Sequence, residues 1–283
     1  AFEEWFTNPI WYHYIGYLIY CGTSIVEIYL MYQTSKKDEF LSKLKEKIKK
    51  QLSNIKVINI KEENKTKYII ELPFETKNRV QIRQLLLLFN VEYIVKQYIK
   101  VKEEENSELF IRFPFELFKK ESWDIEHIDS YTENEITDYS TQIEWLKNAK
   151  IDLADEIDKE VGLKIDKFID NKKSGIQFIE LKLAIMKMAG ENENNDDEKN
   201  SFGNLTLLDA KTNRSYGNAL FSTKRKKIIE RETNGKFIPV CTKNVFLKYF
   251  DTEGSSRTRW TSTDIDKYQN HVVCILKDFL TFK

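Results

Sequence analysis

Along residues 8 to about 54, apolar positions recur at helical spacing. The stretch IWYHYIGYLIYCGTSIVEIYLMY predicts two aromatic-rich helices meeting near Gly22. KKDEFLSKLKEKIKKQL predicts a third, with Phe40, Leu41, Leu44, Ile48 and Leu52 on one face. The period then changes to two. IKVINIKEENKTKYIIEL alternates apolar and polar residues on either side of EENKT, as a small β-hairpin would. A strong helix is predicted over about 77–98, containing RQLLLLFNVEYIV, followed by a strand-like LFIRFPFELF. SWDIEHIDS alternates again and ends in turn residues. From YSTQIEWLKNAK to IQFIELKLAIMKMAG the helical period dominates. GENENNDDEKN has no apolar residue and reads as a solvated loop. The chain closes with a basic helix, NALFSTKRKKIIERE, a short strand, FIPVCT, and a last pair of helices ending DIDKYQNHVVCILKDFL.

These elements predict an α+β protein, predominantly helical. Its 283 residues suffice for two cores. The acidic stretch at 102–107 is the candidate boundary. It separates a mainly helical connecting domain with a β-hairpin, residues 1–105, from a second domain, 106–283, which carries a helical insertion at about 137–200. No internal repeat is visible.

Composition narrows the function classes. Lys plus Arg and Asp plus Glu balance at 45 each, so no global basic charge announces a nucleic-acid binder, and any such site is local. The three cysteines, Cys21, Cys241 and Cys274, have no paired spacing. That argues against disulfides or a cysteine zinc site, predicts core thiols and fits a reducing cytosol. The segment 10–32 carries His13, Gly16, Gly22 and Glu27, which favours buried helices over a membrane span. No basic stretch precedes the first apolar segment, so no signal peptide is expected.

Candidate chemistry concentrates in two places. In WDIEHIDS, His127 lies among Asp124, Glu126 and Asp129, an imidazole with oxygen donors of the kind that suit Mg²⁺ or Mn²⁺. His13 and His271, on helical patterns, read as structural. In SFGNLTLLDAKTNRSYGNALFSTKR, Asn204 and Asn213 flank a short apolar run, and the cluster Lys224, Arg225, Lys226, Lys227 follows. Asparagine is poor in strand and helix interiors, which points to caps, strand edges or ligand positions. The basic cluster reads either as a solvated helix face or as a contact to a phosphate backbone.

Together these stretches resemble the ββα-metal core of HNH nucleases. More narrowly, RFPFELF leading to WDIEHID, then FGNLTLLDAKTNRSYGNALFSTKR, and the late FIPVCT and RWTSTDIDKY are similar to the C-terminal HNH endonuclease region of GmrSD-type, modification-dependent restriction and phage-defence proteins. The likeness covers about residues 79–283. It implies a ββα core split by a long helical insertion, with His127 as general base, Asn213 and Glu126 as metal ligands with Asp129 second, and Asn204 as the tether of the intervening loop. It further implies Asn218 or Lys224 in the third catalytic place, Lys224 at the scissile or a neighbouring phosphate, and DNA contacts from Lys224, Arg225, Lys227, Arg214 and Asn218. In such proteins a ParB-like nucleotide-handling domain precedes the nuclease, and no candidate for it is visible, so a longer natural chain is expected.

The expected function is therefore metal-dependent hydrolysis of DNA phosphodiesters, on DNA that carries a modification in related systems, with a homo-oligomer or a partner domain as further partners and no membrane. Activity is expected to rise as pH climbs through the histidine range. The alternative is a DNA-binding or subunit-assembly module without cleavage. Two departures support it: no second histidine stands on the helix, and DS replaces the proline that often follows His-Ile.

Overall fold

In the computed structural model, residues 1–62, 65–105, 111–129, 136–154, 157–171, 175–189, 196–209, 219–251 and 259–283 are described. The chain is mostly helical with a few small strands, an α+β class. The first helices are α1 (Phe2–Thr7), α2 (Pro9–Tyr20), α3 (Ile25–Gln33) and α4 (Lys37–Gln51). Asn8 starts α2: its Oδ1 accepts from Ile10 and Trp11 N–H at 3.1 and 3.0 Å, and Pro9 occupies the first helical position. Gly22, at φ 92°, makes the left-handed turn between α2 and α3.

The hairpin forms as its alternation predicts, β1 (Lys56–Glu62) antiparallel to β2 (Lys65–Ile70). Residues 63 and 64 of the expected turn lie outside the described residues. A short β5 (Thr281–Phe282) joins β1 in parallel, giving the order β2-β1-β5. Then comes α5 (Arg79–Glu105), which is apolar on all sides at its centre: Leu85, Leu86, Leu87, Leu88 and Phe89 are all buried. That is the signature of a helix surrounded by other elements. It also absorbs the acidic stretch up to Glu105 that the sequence suggests as a loop.

After α5 come α6 (Phe115–Lys120) and β3 (Trp123–His127). RFPFELF is thus a helix start after Pro114 and not a strand. Short apolar-aromatic runs do not distinguish the two by period, and proline favours helix starts. The insertion contains α7 (Tyr139–Asp152), α8 (Lys159–Asp170) and α9 (Phe178–Met188). Its own core is built from Trp145, Leu146, Ile165, Phe168, Leu181 and Ile185, and Leu220 belongs to it.

In the predicted solvated loop, Asp196–Asn200 forms a short helix, α10. Next are β4 (Leu205–Asp209), α11 (Phe221–Thr233), α12 (Val240–Leu247) and α13 (Ser262–Leu276). FIPVCT, expected as a strand, opens α12 instead. Pro239 precedes the helix, Asn90 Oδ1 accepts from Cys241 N–H at 2.9 Å, and Thr242 Oγ1 donates to Leu207 O at 2.9 Å.

A second, larger core joins α2, α4 and α5 to β3, β4, α12 and α13, so residues from 5 to 280 pack together. Of the three cysteines, only Cys241 is a core thiol; Cys21 is half-buried and Cys274 exposed. Among the described residues no helix is long and apolar enough to cross a membrane.

One buried acid gives this core a pH signature. Glu92 on α5 accepts from Tyr14 Oη at 2.8 Å, and burial raises its pKa to about 7 against the opposing pull of Tyr14 and of Lys96 and Lys45. A raised carboxyl pKa means the folded state holds the proton more tightly, so this stabilisation is present below the ordinary carboxyl pKa and is lost as pH rises through about 7. Relative to wild type, Glu92→Gln is expected to gain stability between pH 5 and pH 8, by up to about 3 kcal/mol. Urea denaturation at both pH values measures the difference. A gap that does not widen with pH overturns the assignment.

Candidate functional site

β3 and β4 pair antiparallel, with His127 opposite Leu205, Glu126 opposite Thr206 and Trp123 opposite Asp209. The pairing joins parts of the chain on either side of the helical insertion, and a polar tie fixes it at the His127 end. Asn204, completing a 3-10 turn over Phe202–Asn204, is fully buried. Its Oδ1 accepts from Asp129 N–H at 2.7 Å. Its Nδ2 donates to Lys199 O at 2.9 Å and to Asp129 O at 3.2 Å. Its own carbonyl accepts from Ile128 N–H at 2.8 Å.

One asparagine thereby fixes the chain just after His127, where buried backbone groups would otherwise be costly. Gly203 beside it has no room for a side chain: a Cβ would lie 2.7 Å from Ile265 Cγ2 and 2.8 Å from Ile265 O on α13. The Gly-Asn-Leu run is accordingly a close approach, a tether and a buried strand start in sequence.

Lys224, in the first turn of α11, points into the protein with only 1% of its side chain exposed. Its Nζ donates to Glu126 Oε1 and to His127 O, both at 2.7 Å. The expected phosphate contact is therefore not what this arrangement provides: a lysine this deeply covered meets no external anion while it bridges α11 to β3. Of the other basic residues on α11, Arg225 is half-buried, Lys226 is exposed, and Lys227 pairs with Glu230 at 3.0 Å. Asn213, Arg214 and Asn218 lie outside the described residues.

His127 packs edge-on against Phe74, ring centroids 4.6 Å apart. Its pKa is lowered to about 4, chiefly by burial and then by the nearby cations Lys224 and Arg79, with a hydrogen bond to Asn200 opposing. The imidazole is neutral at pH 7, as a base must be. The structure also moves the expected rise in activity, from the ordinary histidine range down to about pH 4.

Phe74 and Asn200 are site residues that the sequence did not reveal. Phe74 N–H donates to Asn200 O at 2.7 Å, so the segment after β2 closes the wall beside His127. At the far end of the strand pair, Arg231 is held by Glu121 at 2.6 Å and Asp209 at 3.4 Å, and lies over the Trp123 ring at 5.3 Å.

The other two histidines are structural. His13 Nδ1–H donates to Pro9 O at 2.6 Å, while Nε2 accepts from Phe113 N–H at 3.1 Å, and burial lowers its pKa to about 4. His271 sits against the rings of Phe89, Tyr93 and Phe250, and burial lowers its pKa.

The donor set for a divalent ion is incomplete among the described residues. Asp129 is fully buried next to the Asn204 tether, and Glu126 is engaged by Lys224. No three His, Cys, Asp or Glu side chains among the described residues gather as a metal cluster. No family model matches the chain, and neither a curated protein nor a solved structure matches it.

Proposed function

We propose that this chain is an endonuclease of the HNH type that hydrolyses DNA phosphodiesters with Mg²⁺ or Mn²⁺, as part of a restriction or phage-defence protein. The observation that carries the reading is the Asn204 tether. The asparagine that the resemblance assigns to holding the loop near the catalytic histidine makes hydrogen bonds to the two residues that follow His127. In this reading β3 and β4 are the two strands of the ββα core, and α11, which carries Lys224, packs against them.

Within that core, neutral His127 takes a proton from the attacking water. Lys224 holds the His127 carbonyl and the Glu126 carboxylate, and so fixes the end of β3 on which the imidazole is mounted. Phe74 and Asn200 restrict the ring's orientation. The resemblance assigns the ion to Asn213, Glu126 and Asp129, of which Glu126 would first have to part from Lys224; the ion would supply Lewis-acid stabilisation of charge on the phosphate and the departing 3′ oxygen.

The test is nicking of supercoiled plasmid, modified and unmodified, with Mg²⁺, with Mn²⁺ and with chelator. Nicking that requires the ion is the expected result. DNA that stays intact with both ions on both substrates overturns the enzyme reading. A second reading, a DNA-gripping or subunit-assembly module without cleavage, is favoured by one feature: the Glu126 carboxylate is bound by a buried ammonium.

A further inference from the structure

Arg79 and Arg83 stand one helical turn apart at the start of α5, on the same face. Both guanidinium groups reach Asp124 on β3, Arg79 Nη2 to Oδ2 at 3.2 Å and Arg83 Nη2 to Oδ1. Two cations share one carboxylate, so these three groups together carry a net positive charge. The carboxylate is firmly ionised: although burial opposes it, Arg83, the Ile125 N–H and Arg79 hold the Asp124 pKa below the usual range. Unlike Lys224, these side chains are accessible, at 41% and 38% exposure.

Their position relates them to the candidate catalytic histidine. The Arg79 guanidinium lies 5.2 Å from the centre of the Phe74 ring, and the same ring touches His127. The charge of Arg79 is also felt at His127, where it disfavours the protonated imidazole. The arginines are mounted rigidly, because Ile82, Leu85 and Leu86 fix this end of α5 in the core. A guanidinium presents a planar fork of donors that matches phosphate oxygens, and each of these has donors left beyond its contact with Asp124.

We infer that Arg79, with Arg83 behind it, binds a backbone phosphate of the DNA next to the one presented to His127. This rests on the nuclease reading of the His127 site. It assigns the phosphate-binding role to the start of α5, ahead of the basic cluster on α11 where the sequence suggested it. Asp124 orients the two forks before DNA arrives and leaves their outer edges available.

The test is fluorescence anisotropy with a fluorescein-labelled duplex of random sequence, in chelator so that nothing is cut, across a series of salt concentrations. Arg79→Gln is expected to weaken binding by roughly tenfold and to lower the salt slope by about one unit. Arg79→Lys keeps the charge and is expected to retain most of the slope. Lys49→Gln, at an exposed position on α4, removes the same charge elsewhere and is expected to change little. Thermal melts of all variants check folding, because Asp124 loses a partner in the glutamine variant.

Equal losses in Arg79→Gln and Lys49→Gln, with plasmid nicking intact in both, overturn this inference and leave the nuclease reading standing. Absence of binding by the wild-type chain, together with absence of nicking, overturns both.

Discussion

Lys224→Met is expected to destabilise the protein by about 3–5 kcal/mol at neutral pH, the range for stripping the partner from a buried ion. Glu126 and Lys224 are both buried, 2.7 Å apart, and the ammonium also serves the His127 carbonyl. Methionine fills much of the lysine volume, so the loss comes chiefly from a carboxylate and a carbonyl deprived of their donor, and little from a cavity. The double variant Glu126→Gln, Lys224→Met removes the charge along with its partner and should recover most of the stability, since a buried pair contributes little net. Urea denaturation of wild type, both single variants and the double variant gives the coupling directly. Additive losses would mean that the pair does not act as a unit. In the single Lys224 variant the His127 pKa should also move up, because one of the cations that depress it is gone.

His127→Ala is expected to lower the nicking rate by about 10²–10⁴-fold, the usual contribution of a positioned general base. The assay should stay at pH 7 or above, where His127 is neutral in the wild type. His13→Gln serves as the comparison. Its ring is a hydrogen-bonded link between α2 and the segment at Phe113, so its loss should show as a lower melting temperature with nicking unchanged at a temperature where the variant is folded. An alanine variant at 127 that nicks at the wild-type rate would remove this residue from the mechanism.

Much of the site's scaffold was legible in the sequence because it is written in local patterns. WDIEH reads as a short strand and LTLLD as an apolar run, and the helical period from residue 139 to 188 marks the insertion between them. Asn204 stands out because asparagine is poor in strand and helix interiors, and its role as a loop tether came from the likeness to HNH nucleases. What was not legible is what depends on packing at a distance. Four consecutive basic residues look alike on a helix surface, and only the fold turns Lys224 inward to Glu126. No spacing rule links Phe74, Arg79 and Asn200 to His127, because they come from separate elements that meet only once α5 is in place. FIPVCT and RFPFELF were misread for a different reason: their β-branched and aromatic residues suit a strand, and proline-started helices overrode that preference.

The tie between Asp129 and Asn204 closes a loop with its ends 75 positions apart. For an unstructured chain of that length, closure costs on the order of 4 kcal/mol in entropy, about all that four hydrogen bonds of Asn204 return. The insertion changes that balance. Its helices have a core of their own, so once they fold a large part of the intervening chain is no longer free to wander. Assembly of the His127 corner should accordingly follow the insertion in time, and pulsed hydrogen exchange should find the amides of α7, α8 and α9 protected before those of β3 and β4. The helices that interrupt the strand pair are then a folding device for it: they shorten the search that brings Asn204 to His127.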